Sequence, residues 1–412
     1  MTILKNTSSH IRLIYIWTRI LGTPFWSLTS LLTYLLYKEM EITPFQIMLL
    51  VALKPVSSLL APYWNQTIIK RPDLIRSNLI YANIFRYLPF LFLPWIHSSW
   101  FIILAFGLYM MLHRAVIPSW MELFKRHLPD ELRKKTLSQS FIIDYIGSAV
   151  LTLGLGIFLD TFNGAWRFLF CTLGVLGLTS TWLIKTLPNF SLLEETDKKL
   201  TTTFRHSLLN PWKQSWNLLS QYPDFTAYQL GFMLWGGGIM LMHPALPSFF
   251  IDTLHLSFTE MSFAIAMCKG IGVALSSPYW RRFFGKMNIF FFTGFVALLS
   301  VAFPLFLLIS PFHLSFLFLA YILYGIIQGG SELSWHISGV HFSQDKESTI
   351  FSNLNILTVG IRGCVIPLFG TLILTLTNSI CVMILGGMLC SFASWYFLHY
   401  AQIHTQQALD RS

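Results

Sequence analysis

Twelve apolar runs punctuate the chain, at 11–37, 46–64, 78–96, 99–121, 139–162, 164–187, 223–251, 259–280, 289–309, 312–340, 351–376 and 378–402. Each is close to the roughly 20 residues a helix needs to cross a hydrocarbon core. None keeps the two-residue alternation of a lipid-facing β-strand, so the pattern predicts transmembrane helices and not a barrel. The first run is too long for the apolar core of a secretory signal and no small-residue cleavage site follows it, so it is read as a retained span. Trp64, Trp95, Trp100, Trp120 and Trp280 fall at run ends, where interfacial anchors are expected.

The runs repeat. "ALKPVSSLLAPYW" (52–64) is echoed by "AMCKGIGVALSSPYW" (266–280), with the two Pro-Tyr-Trp triplets 216 positions apart. Each copy places a lysine inside a span, Lys54 and Lys269. Ser119-Trp120 and Ser334-Trp335 lie 215 apart, so the register holds over the second and fourth spans of each half. Two copies of a six-span unit follow: residues 1–187 and 223–412, joined by the polar stretch 188–222. Within that stretch "NPWKQSWNLL" (210–219) predicts a short amphipathic surface helix, with Asn210 as its cap and Pro211 at its first position.

Composition agrees with a bilayer as solvent. Hydrophobic residues make up 54% and charged residues 11%, against the roughly 25% charged of a soluble domain. The formal net charge is +10, but its distribution argues against nucleic acid. With the N-terminus inside, cytoplasmic segments collect twenty Lys and Arg, outside segments hold only Lys38 and Arg167, and six lie within spans. That bias predicts that both termini are cytoplasmic, with the basic loops meeting anionic lipid headgroups. The five cysteines all fall in spans and read as small apolar residues, with no metal site or disulfide framework.

Two six-span halves with a long central loop resemble the major facilitator superfamily along the whole chain. The family's Gly-x-x-x-Asp-Arg-x-Gly-Arg-Arg loop aligns with Ala61, Asn65, Gln66, Ile68, Ile69 and Lys70, of which Lys70 alone fits. The second copy offers Arg281, Arg282, Gly285 and Lys286, and Pro129-x-x-x-Arg133 is similar to the family's next cytoplasmic loop. The resemblance implies an all-α integral membrane protein of two six-helix bundles. It also implies a solute bound between the halves near the midplane, and alternating access. Arg114 is similar in position to the family's span-four arginine.

The spans carry Arg19, Lys54, Arg86, Arg114, Lys269 and Arg362, against Asp144 and Glu332. One charge at the bilayer centre costs about 2.5–3.5 kcal/mol, so six exposed cations would cost roughly 15–20 kcal/mol. They must face the interior, find partners or snorkel. Lys54 stands ten residues from its cytoplasmic end, about 15 Å along a helix and half of a core about 30 Å thick. Lys269 and Arg362 are similarly deep, and Arg19 and Arg86 nearly so. These five are the candidate binding groups for an anionic solute, since Arg presents a planar fork to carboxylate or phosphate and Lys a point charge. The alternative is structural: Arg86 and Arg114 paired with Asp144, Glu122 or backbone carbonyls. Arg114 and Asp144, nearer the cytoplasm, are candidates for gating.

Gln328, Glu332 and His336 recur every four residues on one helix face, and a buried carboxylate beside a histidine suits a coupling proton. A plain polar seam is the alternative. Gly236-Gly237-Gly238, followed by His243-Pro244 and Pro247, predicts a bend or unwinding in the outer half of the seventh span, and Gly22 and Pro24 punctuate the first similarly. The leading expectation is a secondary transporter of a small organic anion, coupled to protons or to counter-exchange, monomeric and without cofactor. A proton-driven exporter of lipophilic compounds is the second reading. A membrane-embedded enzyme is disfavoured because no nucleotide loop, His-Glu-x-x-His or Gly-x-Ser-x-Gly motif occurs. A non-transporting receptor is the remaining class.

Overall fold

The computed structural model describes residues 2–70, 74–162, 164–187, 216–284, 287–343 and 348–409. All of the regular structure among them is helical, as a bilayer requires of a chain that must satisfy every backbone group within its own segment. Each of the twelve apolar runs forms helix. The first six are α1 (Thr2–Met40), α2 (Pro44–Lys70), α3 (Ile75–Tyr87, extended by a 3-10 turn at Leu88–Phe92), α4 (Ser99–His127), α5 (Asp130–Ile142) running through a π turn at Ile143–Gly147 into α6 (Ser148–Thr161), and α7 (Trp166–Lys185). The second set begins with α8 (Pro223–Met242). It continues with α9 (Phe258–Ser262), which passes through a π turn at Phe263–Cys268 into α10 (Lys269–Phe284), and with α11 (Ile289–Ile309), α12 (Ser315–Ser343), α13 (Ser348–Leu376) and α14 (Ser379–Leu409). Nine segments among the described residues are long and apolar enough to cross a membrane by themselves. Residues 216–221 are helical; the rest of the expected linker helix, with Asn210 and Pro211, lies outside the described residues.

Helix starts follow local chemistry. Ser257 and Glu260 form a capping box at α9, each side chain bonding the other's backbone N–H. Asn288 Oδ1 accepts from Phe290 N at 2.8 Å to open α11. The glycine run at 236–238 does not break its helix: α8 continues through it, and the irregularity falls just after, in a 3-10 turn at His243–Ala245 and a π turn at Phe249–Thr253. Glycine permits unwinding but does not demand it, whereas Pro244 and Pro247 remove backbone donors outright. Gly22 and Pro24 likewise sit within an uninterrupted α1.

The contacts divide the chain into two units. One holds Met1–Leu192 and Leu246–Gly270, the other Leu193–Ala245 and Ile271–Ser412. In the first unit a core of Ile11, Ile14, Tyr15, Leu79, Leu112, Leu123, Phe124 and Ile184 joins α1, α3, α4 and α7. Asn83 on α3 ties to α7 by donating to Ser180 Oγ at 3.0 Å and Thr181 Oγ1 at 2.7 Å. The segment Leu246–Gly270 belongs to this unit because α9 docks on α6. Asp160 Oδ1 accepts from Phe258 N at 2.9 Å and Oδ2 from Thr259 N at 2.7 Å. Gly156 admits this approach, since a Cβ there would stand 2.7 Å from Phe258 O.

In the second unit α8, α11 and α14 pack closely, with Trp235 Nε1 donating to Ser300 Oγ at 2.7 Å and Ser394 Oγ to Gly294 O at 2.9 Å. Two of the expected interfacial tryptophans are core residues instead. Trp120 and Trp280 are buried, and the Trp280 indole donates to Ile326 O at 2.8 Å. Position at the end of an apolar run does not separate a wet ring from one that neighbouring helices cover. Trp95 and Trp100 are exposed as expected, and Trp64 lies outside the described side chains.

Candidate functional site

The first unit gathers cations. Lys54 lies within electrostatic range of Lys269 and Arg114. The Lys54 side chain keeps accessible surface. Its ammonium stands 5.7 Å from the centroid of the Trp26 ring. Trp26 in turn stacks on His113 at 4.8 Å and 14°, and His113 on Tyr109 at 5.8 Å and 22°. His113 is within range of Arg86, Arg19, Arg114 and Lys54. Arg86 is buried with its guanidinium 4.6 Å over the Tyr87 ring. Ring faces are negative, so the aromatic wall partly compensates the positive charge gathered beside it.

One pairing departs from the sequence expectation. Asp144 takes Arg19 as its salt-bridge partner, not Arg86 or Arg114, and Glu122 takes Arg126 at 2.7 Å within one helix turn. Asp144 sits in the π turn Ile143–Gly147, and Lys269 follows directly on the π turn Phe263–Cys268. Such turns shift the side chains beyond them around the helix axis and recur at functional sites.

The second unit holds Arg362, buried on α13. Its Nη1 donates to Phe232 O at 2.6 Å, and its guanidinium lies 5.3 Å from the Phe232 ring. Beside it runs a polar seam between α8 and α13. Gln229 Nε2 donates to Asn355 Oδ1, Thr358 Oγ1 to Gln229 Oε1 at 3.0 Å, and Asn355 Nδ2 to Ser338 Oγ at 2.8 Å. On α12, Gln328 Nε2 donates to Glu332 Oε1 at 3.1 Å and Glu332 is exposed; the His336 side chain lies outside the described residues.

The structure thus brings Lys54, Lys269 and Arg114 into one neighbourhood, pairs Arg19 with Asp144, and seats Arg362 against α8. Trp26, His113, Tyr109 and the Gln229–Asn355–Thr358 seam did not emerge from the sequence reading. A tryptophan or histidine in an apolar run carries no local mark of what it stacks on. The seam did leave a trace, since Gln229, Asn355 and Thr358 are polar residues inside spans.

The apolar helices define a multi-pass helical membrane protein. The Major Facilitator Superfamily profile matches residues 18–367, and the chain belongs to that superfamily. Among solved structures, a mutant form of the nucleoside transporter NupG is similar with a TM-score of 0.73, at 12% identity over 94% of this chain and 99% of that one. The POT family transporter PepTSo gives 0.70 at 12% identity, covering 97% and 99%. A POT family transporter in complex with 5-aminolevulinic acid gives 0.70 at 10%, covering 96% of each chain. At such identities the likeness speaks for the fold alone. No curated protein matches the sequence significantly.

Proposed function

We propose that this protein is a secondary transporter that moves a small organic anion across a cell membrane by alternating access. The halves 1–187 and 223–412 are its moving bundles, and both termini are cytoplasmic. The observation that carries the reading is the cation neighbourhood around Lys54, with Lys269 and Arg114 in range and a side chain that keeps accessible surface. Like charges gathered in a low-dielectric interior repel, and an anion between them relieves that repulsion. Lys54 and Lys269 bind the solute as point charges, and Arg86 and Arg362 add planar donors. Arg19, already paired, orders Asp144 and with Arg114 serves the gate. Glu332, with His336 one turn on, carries the coupling proton.

The test is uptake by vesicles reconstituted with purified protein, screened with radiolabelled carboxylates, sugar phosphates and nucleotides. Lys54→Ala and Lys269→Ala are each expected to fold yet bind the transported anion roughly tenfold or more weakly, the loss of one charge-assisted contact. Lys→Arg at either site is expected to keep part of the affinity, because the planar fork changes the reach. Two alanine variants that transport with parental affinity would remove the lysines from the site.

A further inference from the structure

The two halves treat one pair of spans in opposite ways. In the first half a charge pair bridges the first and fifth spans, from Arg19 on α1 to Asp144 beside α6. Counted by span, the first and fifth of one half correspond to the seventh and eleventh of the other, which carry Gly236 and Arg362. In the second half the corresponding spans, α8 and α13, meet again, but the arginine comes from the later span and a glycine of the earlier one lies against it. A Cβ at position 236 would overlap the Arg362 guanidinium carbon and both terminal nitrogens. Glycine at 236 is therefore what lets the guanidinium lie flat against α8, and the triple-glycine motif gains a reason that needs no bend.

The consequence is electrostatic. Among the described residues the side-chain ion pairs are Arg19–Asp144 and Arg126–Glu122, so no carboxylate is paired with Arg362. Its single hydrogen bond there runs from Nη1 to the neutral Phe232 carbonyl. Its Nε is buried with no partner. Two acids on the neighbouring spans are engaged elsewhere, Asp224 with the Tyr400 hydroxyl at 2.8 Å and Glu332 with Gln328. A buried guanidinium with an orphaned donor and no counter-charge is costly, whereas pairing and full hydrogen bonding offset that cost. The Nε and Nη2 atoms form the side-on edge of the fork, the geometry that takes the two oxygens of a carboxylate or phosphate.

We infer that Arg362, given room by Gly236, is an oxyanion-binding group whose counter-ion is supplied by a bound solute, whereas Arg19 has an internal one in Asp144. The inference deepens the anion-transport reading and rests on it. It assigns Gly236 as a positioning residue, and it predicts that an internal carboxylate beside Arg362 makes the external one unnecessary.

The experiment is thermal unfolding of the purified full-length protein, starting in a low-anion buffer and titrating acetate and, separately, inorganic phosphate. The parent protein is expected to gain stability with at least one probe. Arg362→Met should match or exceed the parent's melting temperature without probe, and should not respond to it. Thr358→Glu, one turn before Arg362 on α13, should pair with it and also lose the response while the protein stays folded. Gly236→Ala, which keeps the charge but displaces it, should respond with an apparent affinity roughly tenfold to a hundredfold weaker. An Arg362→Met protein that responds like the parent overturns the inference. So does one that melts well below the parent in low-anion buffer while Gly236→Ala and Thr358→Glu respond normally, since Arg362 is then only a tie to Phe232. Loss of response in Lys54→Ala and Lys269→Ala with full retention in Arg362→Met would sink this inference and leave the anion-transport reading standing. The converse pattern would remove the lysines and keep Arg362.

Discussion

Replacing Asp144 by Asn leaves a near-isosteric side chain in place and strands the Arg19 guanidinium. Arg19 and Asp144 side chains are 30% and 22% exposed, so solvent reaches the pair but does not dissolve it. Removing one partner of a buried pair costs roughly 3–5 kcal/mol, and partial exposure places this site at the low end, about 3 kcal/mol. Two further consequences follow from position. Thr23 Oγ1 donates to Arg19 O at 2.7 Å one turn along α1, and a Cβ at Gly147 would stand 3.3 Å from Thr23 Cγ2. Loss of the ion pair therefore also loosens the contact of α1 with the π turn that carries Asp144. The assay is unfolding of the purified protein in mixed micelles of increasing denaturing detergent, read by tryptophan fluorescence. Asp144→Asn and Arg19→Met are each expected to lower the midpoint, and the double variant to lose much less than the sum of the two. The coupling should be about 2 kcal/mol or more, well outside the additivity of independent sites. Strict additivity, or an Asp144→Asn protein as stable as the parent, would refute the pairing as a source of stability.

Three other outcomes are expected. Glu332→Gln should abolish uphill accumulation driven by a proton gradient while leaving solute exchange intact; unchanged accumulation in vesicles would remove Glu332 from coupling. Asp160→Ala strips two backbone donors at the start of α9 of their acceptor, so the α9–α10 segment should lose about 0.5–2 kcal/mol of local stability, seen as faster amide exchange over 258–262 with little change at α13. Burial, and then the charge of Arg126, hold the His127 imidazole below its ordinary range. The unfolded chain thus binds that proton more readily, so stability should fall as pH drops through about 6.5 and be unaffected above it; His127→Gln should flatten that limb of the melting-temperature profile.

Much of the architecture was written along the chain. Apolar runs near the width of a bilayer, a 216-residue register in Pro-Tyr-Trp and a strongly one-sided count of Lys and Arg are local or additive properties. Each survives without knowing which helix touches which, because the hydrophobic cost of a span depends on its own composition. The six cations inside spans were legible for the same reason: a charge in an apolar run stands out wherever the run packs.

Partner choice was not legible. Asp144 binds a residue 125 positions away, and Arg362 reaches a carbonyl 130 positions away. Distances of that kind are set by which faces of two helices meet, and one π turn rotates everything beyond it. Nothing in "FIIDYIG" or "FAIAMCK" announces such a turn. The triple glycine illustrates the division. The sequence marked it as a place where a helix has freedom, and only packing decided that the freedom is used for close approach, with Arg362 filling the volume a side chain would have occupied. The tryptophans divide in the same way, Trp95 to the surface and Trp280 to the core, because burial belongs to the neighbours a ring acquires and not to its place in a run.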